Sequence, residues 1–336
     1  MNKKRIIIIC PGRGSYTRDT ANYLFQYGNK AQGHINWMDN QRIKNGKTSL
    51  TELDSQPFKA KNHMVGENAS SLIYACSLAD FLLIDKEKYK IVAITGNSMG
   101  WYTSLVMSGA IKIENGFHLI EIMGSMMKDG LIGGQLIYPI TKDNWEIDND
   151  LYQIVLKEIQ KTGAYLSIKL GGYLVIGGRE SALKVLSKKL PRIEKYPFII
   201  PYHAAFHTPL LKSISKSALD LIDPSIFMKP SIPLVDGRGK IWSPFSTDPI
   251  ALMDYTLKHQ VLNTYNFSSS ISVALKEFCP DKLLLLGPGN SLGGPVGQII
   301  IENNWLGLKS KKDFTKLQAV DPYILSLGIP EQRALL

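Results

Sequence analysis

Residues 89–109, YKIVAITGNSMGWYTSLVMSG, decide how this chain is read. Tyr89 to Thr95 is a short, mostly apolar run, the pattern of a buried strand. Gly96-Asn97-Ser98-Met99-Gly100 interrupts it, and Trp101 to Gly109 continues as a helical run. A G-x-S-x-G between a strand and a helix is the context of a nucleophile elbow. Its glycines relieve crowding where the backbone turns sharply, and its serine is lifted to the head of a helix. There the backbone N–H of Met99 and the helix dipole can meet a developing oxyanion. Ser98 is therefore the expected nucleophile.

Working outward, Lys3 to Cys10 reads as a buried first strand and Pro11-Gly12-Arg13-Gly14-Ser15 as a tight loop after it. Residues 16–66 look polar and irregular. Ser70 to Leu83 and Ile113 to Lys128 read as helices, and Lys282 to Leu286 as a further buried strand. Strand, tight turn and helix in succession indicate an α/β core with parallel strands, of the hydrolase-like kind. From Gly134 to His203 the rhythm changes to β-α-β-β-α-β, the ferredoxin-like order. We expect residues 1–133 and 204–336 to form the core and 134–203 an inserted subdomain. A cleft between two such units is a usual place for a ligand.

Composition bounds the function classes. The 336 residues are 44% hydrophobic and 20% charged, as in a globular protein with a sizeable core. No apolar run is long enough to span a membrane. Ile6 to Cys10 is too short for the core of a signal peptide, so the expected location is cytoplasmic. Cys10, Cys76 and Cys279 show neither a disulfide framework nor a metal spacing, and each reads as a buried reduced thiol. A net charge of +10 favours anionic partners. Basic residues such as Lys157, Lys161, Lys184, Lys188 and Lys189 lack interleaved aromatics, which argues against nucleic acid. An acidic carrier protein or the phosphates of coenzyme A would use the same charge.

A serine hydroxyl needs a base. His34 and His63 lie in the irregular N-terminal third, and His118 on a helix surface. Position alone leaves both His207 and His203 open. His207 stands in Phe206-His207-Thr208-Pro209-Leu210-Leu211, opening a helix just beyond the inserted unit. Gly12-Arg13-Gly14 is too incomplete for a dinucleotide fingerprint, and no P-loop lysine follows GPGNSLGG at 287–294, which reads as a turn beneath the site loops.

PGRGS, GNSMG, FHTPLL and LLLLGPGNSL, in that order, resemble the malonyl-CoA:acyl carrier protein transacylase family, as a divergent member. Family members have a PGQGS loop, GHSLG, a histidine in an (S/F)H(S/T)xLM setting and a GPG turn. The resemblance implies an α/β core with the ferredoxin-like insertion, and His207 as the base. It implies that the main-chain carbonyl of Gln260, in His259-Gln260-Val261-Leu262-Asn263, orients that imidazole. The backbone N–H groups of Met99 and Arg13 would hold the oxyanion.

The departures bear on substrate. Met123, in Leu119-Ile120-Glu121-Ile122-Met123-Gly124, stands where the family places the arginine that pairs with the malonyl carboxylate. Arg13 replaces the loop glutamine, Asn97 the histidine before the nucleophile, Trp101 a glutamate, and Lys169 a cleft asparagine. Met123, Asn97, Arg13 and Lys169 are thus the expected substrate-binding side chains. Losing a bidentate guanidinium strands a buried carboxylate, whereas methionine accepts an apolar chain. Two readings follow: a non-carboxylated acyl group over Met123, or a carboxylate now held by Arg13 or Lys169.

The expected activity is acyl-CoA:acyl carrier protein S-acyl transfer through an acyl-serine. The partners are acyl-CoA and the phosphopantetheine thiol of an acyl carrier protein; no permanently bound cofactor and no metal are needed, and a monomer is expected. The alternatives are a hydrolase of acyl carrier protein thioesters on the same fold, or a catalytically silent carrier-protein-binding subunit.

Overall fold

Numbered along the chain, the strands are β1 (Lys4–Cys10), β2 (Tyr89–Gly96), β3 (Gly134–Pro139), β4 (Tyr165–Leu170), β5 (Tyr173–Gly178), β6 (Phe198–Ile200), β7 (Leu234–Val235), β8 (Ile241–Trp242), β9 (Tyr265–Asn266), β10 (Lys282–Leu285) and β11 (Ile324–Ser326). The computed structural model describes residues 3–128 and 130–336. Its strands form a six-stranded sheet in the order β11-β10-β1-β2-β7-β8 and a five-stranded sheet in the order β6-β3-β5-β4-β9. In the larger sheet every pairing is parallel except β7 with β8. Ile6, Ile7, Ile8 and Ile9 of β1 are fully buried, as an unbroken β-branched run in a sheet covered on both faces should be. Helices Gly66–Leu83, Gly100–Met107 and Ile113–Ser125 pack on one another beside this sheet.

The smaller sheet is the ferredoxin-like unit. β3, β4, β5 and β6 pair antiparallel, with helices Asn149–Thr162 and Glu180–Lys189 in the intervening connections. Alternation along the strands gives the two faces different work. Leu136, Tyr138, Leu174 and Ile176 form a core with Val155, Ile159, Leu183 and Leu186 of those helices. Gln135, Ile137 and Val175, one residue out of step, look the other way into a cavity. The fifth strand, β9, comes from outside residues 134–203 and runs parallel to β4.

Two expectations are corrected. Residues 16–66 are not irregular: they include helices Gln32–Lys44 and Leu50–Ser55. Helix Gln32–Lys44 is polar overall, with only Ile35 and Met38 as buried apolar residues, so periodicity could not reveal it; polar tertiary bonds add to the burial of those two. Asp39 accepts from Leu50 N and Thr51 Oγ1, and buried Arg42 reaches Thr48 O, Asn68 and Glu121. Asp54 similarly accepts the N–H groups of Tyr23 and Leu24 at 2.9 Å each. Cys10 and Cys76 are buried, but Cys279 is exposed, because it caps helix Phe267–Phe278 in a left-handed conformation (φ 40°).

Candidate active site

The elbow forms because two glycines let backbone meet backbone. A Cβ on Gly96 would lie 2.3 Å from the Gly100 carbonyl oxygen, and one on Gly100 would lie 2.2 Å from the Cys10 carbonyl oxygen. Only glycine at both positions allows the turn to pack onto the end of β1. Ser98 between them is forced to φ 55°, a strained value for a residue with a Cβ. Met99 follows as the N-cap of helix Gly100–Met107. Within the described residues neither the Met99 N–H nor the Arg13 N–H donates a hydrogen bond, which leaves both open to an incoming oxygen.

His207 arrives from the far end of the ferredoxin-like unit, also at positive φ (57°), and its Nε2 lies 2.7 Å from Ser98 Oγ. Its Nδ1 lies 2.5 Å from the Gln260 carbonyl oxygen. A carbonyl only accepts, so Nδ1 carries the proton and Nε2 presents its lone pair to the serine hydroxyl. Burial pushes the imidazole pKa from 6.5 down to about 4, with the Gln260 hydrogen bond opposing the shift in part. The ring is therefore neutral and basic at ordinary pH. No carboxylate offsets that burial, unlike the aspartate of a protease triad.

Gln260 does more than the expected carbonyl contact. Its carbonyl becomes available just after a π-helical turn, Tyr255–His259, and its side chain is fastened as well. Nε2 donates to Ser98 O at 3.1 Å, and Oε1 accepts from Tyr102 OH at 3.2 Å. One residue thus holds both members of the pair. Tyr265 also packs its ring 5.4 Å from that of His207 and donates to Gly96 O at 2.5 Å. Tyr102 and Tyr265 escaped the sequence reading because nothing in their local pattern separates them from core tyrosines.

Ser98, Asn97, Met99, Arg13, Met123, His207 and Gln260 all line one cavity of about 590 Å³. Met123, on helix Ile113–Ser125, lies beside Ile120 and Met127 on an apolar stretch of wall. Asn97 is buried with no partner for its Oδ1. The Arg13 guanidinium donates from Nη2 to Met64 O and Tyr202 O, 2.7 Å each, and lies over the Phe206 ring. Burial lowers its pKa to about 10, so it stays cationic. The other placement fails: Lys169 lines a separate hollow with Tyr152 and Glu302. Its neighbours Ile168 and Leu170 face the cavity, so alternation along β4 turns Lys169 away.

His203, the other histidine that position left open, also lines this cavity, but it is engaged elsewhere. Its Nδ1 lies 2.8 Å from Gln135 Oε1, while Gln135 Nε2 donates to Ser167 Oγ and Ser167 donates to Phe206 O. Burial, then the Arg13 charge, holds its pKa well below 6.5. A glutamine inside an otherwise apolar strand was the available signal for this chain of bonds. The GPGN turn packs as expected: Ser77 Oγ donates to Gly287 O, and Ser291 and Leu292 line the cavity.

Comparison with known proteins adds to this geometry. No family model matches the sequence. The malonyl CoA-acyl carrier protein transacylase of Buchnera aphidicola is 22% identical over 241 residues, covering 68% of this chain and 73% of that protein. The Bacillus subtilis protein of the same name is 20% identical over 307 residues, covering 88% and 90%. The crystal structure of the Synechocystis malonyl-CoA:ACP transacylase superposes with a TM-score of 0.76 at 13% identity, covering 99% of this chain and all of that one. Curated relatives and solved neighbours name one family, the family whose motifs the sequence resembles, and the chain has its fold: a large α/β domain with a smaller ferredoxin-like subdomain. No described helix is long and apolar enough to cross a membrane.

Proposed function

We propose that this chain, a divergent relative of the malonyl-CoA:acyl carrier protein transacylases, is an acyl-CoA:acyl carrier protein S-acyltransferase with Ser98 as nucleophile and His207 as base. The observation that carries the reading is the 2.7 Å contact between Ser98 Oγ and His207 Nε2, with the other ring nitrogen held on the Gln260 carbonyl. His207 Nε2 takes the hydroxyl proton as Ser98 Oγ attacks the thioester carbonyl carbon. The resulting oxyanion is received by the N–H groups of Met99 and Arg13. As the C–S bond breaks, the imidazolium returns the proton to the departing coenzyme A sulfur. The phosphopantetheine thiol of a carrier protein then gives its proton to His207 and attacks the acyl-serine, and Ser98 leaves with that proton. Neither half-reaction calls for a metal or a redox group. We take residues 134–203 as the inserted domain and the remainder as the core.

The acyl group we assign is uncharged. Met123 supplies no cation, Lys169 faces away, Lys128 at the cavity lining has Glu67 3.7 Å from it, and two of Arg13's hydrogen bonds already go to main-chain carbonyls. Intact-protein mass spectrometry after exposure to acetyl-, malonyl- and longer acyl-CoAs tests the reading. Acyl mass should appear on the wild-type chain and vanish in Ser98→Ala. Adding carrier protein should discharge the acyl-enzyme. Discharge to free acid at the same rate without carrier protein would instead identify a hydrolase, and absence of labelling by any donor would identify a silent subunit.

A further inference from the structure

The sheet lining of the cavity carries an arrangement that no single strand reveals. Ile168 is paired with Tyr265 of β9 on one side and with Val175 of β5 on the other. Val175 is opposite Ile137 of β3, which is opposite Phe198 of β6. Directly opposed residues share a face of the sheet. Tyr265, Ile168, Val175, Ile137 and Phe198 therefore form one transverse row across all five strands. Tyr265, at one end, is the residue whose ring lies against His207. The next four line the cavity that holds Ser98. Exposure is low at the inner end, 6% at Ile168 and 3% at Val175, and reaches 42% at Phe198 on the edge strand. The row thus begins at the reacting groups and ends in the open. The same cavity is lined by Ile120, Met123 and Met127, with Glu67 and Lys128 as the charged pair near them, whereas Gln135, on the same face of the sheet, is committed to His203 and Ser167.

We infer that this row is an acyl-chain channel, and that the group carried by Ser98 is a straight hydrocarbon chain of about a dozen carbons. With strands about 4.8 Å apart, the three steps from Ile168 to Phe198 span about 14 Å. An extended chain advances about 1.2 Å per backbone atom, so about twelve carbons reach the edge. The inference rests on the acyl-serine reading above and names its substrate class. A three-carbon malonyl group would leave most of the row uncovered, and each methylene laid on it removes apolar surface from water on both sides.

Competition among straight-chain acyl-CoAs of two to sixteen carbons, with malonyl-CoA included, reads the channel as initial rates of Ser98 acylation by mass spectrometry. The rate should rise about threefold per added methylene over the middle of the series and level off near twelve carbons. In Val175→Trp, which blocks the row near its inner end, the ratio of decanoyl to butyryl labelling should fall at least about tenfold. Phe198→Lys, a change at an exposed site that does not threaten folding, should lower the ratio of dodecanoyl to hexanoyl labelling about threefold. Labelling of Ser98 fastest with malonyl- or acetyl-CoA overturns the channel while leaving the acyl-serine reading intact. Unchanged ratios in both variants overturn it as well. No labelling by any donor removes the acyl-serine reading and the channel together.

Discussion

The core side of the cleft and the sheet side are built on opposite terms. On the core side, Ser98 and His207 both hold positive φ values, and the buried imidazole hydrogen-bonds a carbonyl and a hydroxyl. On the sheet side, β3, β4, β5 and β6 form an antiparallel ladder whose cavity face is largely aliphatic. Reactivity needs groups held away from their relaxed state, and a tight elbow with fixed carbonyls supplies that at a point. Selectivity among acyl groups needs only area and shape, and a sheet face supplies those over a distance. On the proposed reading, chemistry and chain-length choice lie on separate walls, so substitutions on the two should separate kcat effects from chain-length effects.

The largest test removes the base. His207→Ala should lower the rate of Ser98 acylation by about 10² to 10⁴ for every donor alike, without changing the order of donor preference. A changed order would mean that His207 also selects among donors. The next is pH. With His207 as the proposed base, acylation would require it neutral, and burial holds its pKa at about 4, so the rate should stay level from pH 8 to pH 5 and then fall about tenfold per unit once well below pH 4. An inflection near 6.5 would show an imidazole much less buried than this one. The same shift acts on stability: the unfolded chain binds the proton with a pKa near 6.5 and the folded chain only near 4. The contribution of His207 is thus complete above pH 6.5 and is lost as pH falls toward 4, and His203, shifted in the same direction, adds to that loss. The last of these tests is Met123→Arg. It should move preference toward malonyl-CoA by about tenfold, because a carboxylate would then meet a guanidinium within the cavity. An unchanged preference in a labelled variant would remove Met123 from the substrate wall.

The site was partly legible in the sequence because part of it is local. Gly96 to Gly100 lies between a strand and a helix, and the elbow is a property of those few residues and their neighbours. The ferredoxin-like order was legible for the same reason, since strand and helix periods are local. Helix Gln32–Lys44 was not legible, because only Ile35 and Met38 mark its buried side and the rest of its anchoring comes from Arg42 and Asp39 reaching distant partners. Lys169 was misplaced because spacing alone cannot say which face of β4 looks into the cleft.

The sequence by itself determined a strand, a glycine-flanked serine and a helix, a second unit of ferredoxin-like order, and, through motif resemblance, His207 as the expected partner of Ser98. Only the tertiary structure decided that His207 stands 2.7 Å from the serine while His203 turns to Gln135, that the Gln260 side chain also fastens Ser98, and that five residues from five strands align into one row. Those are relations between segments far apart in the chain, set by sheet register and by how two domains close on each other, and no local pattern of residues encodes a distance across a cleft.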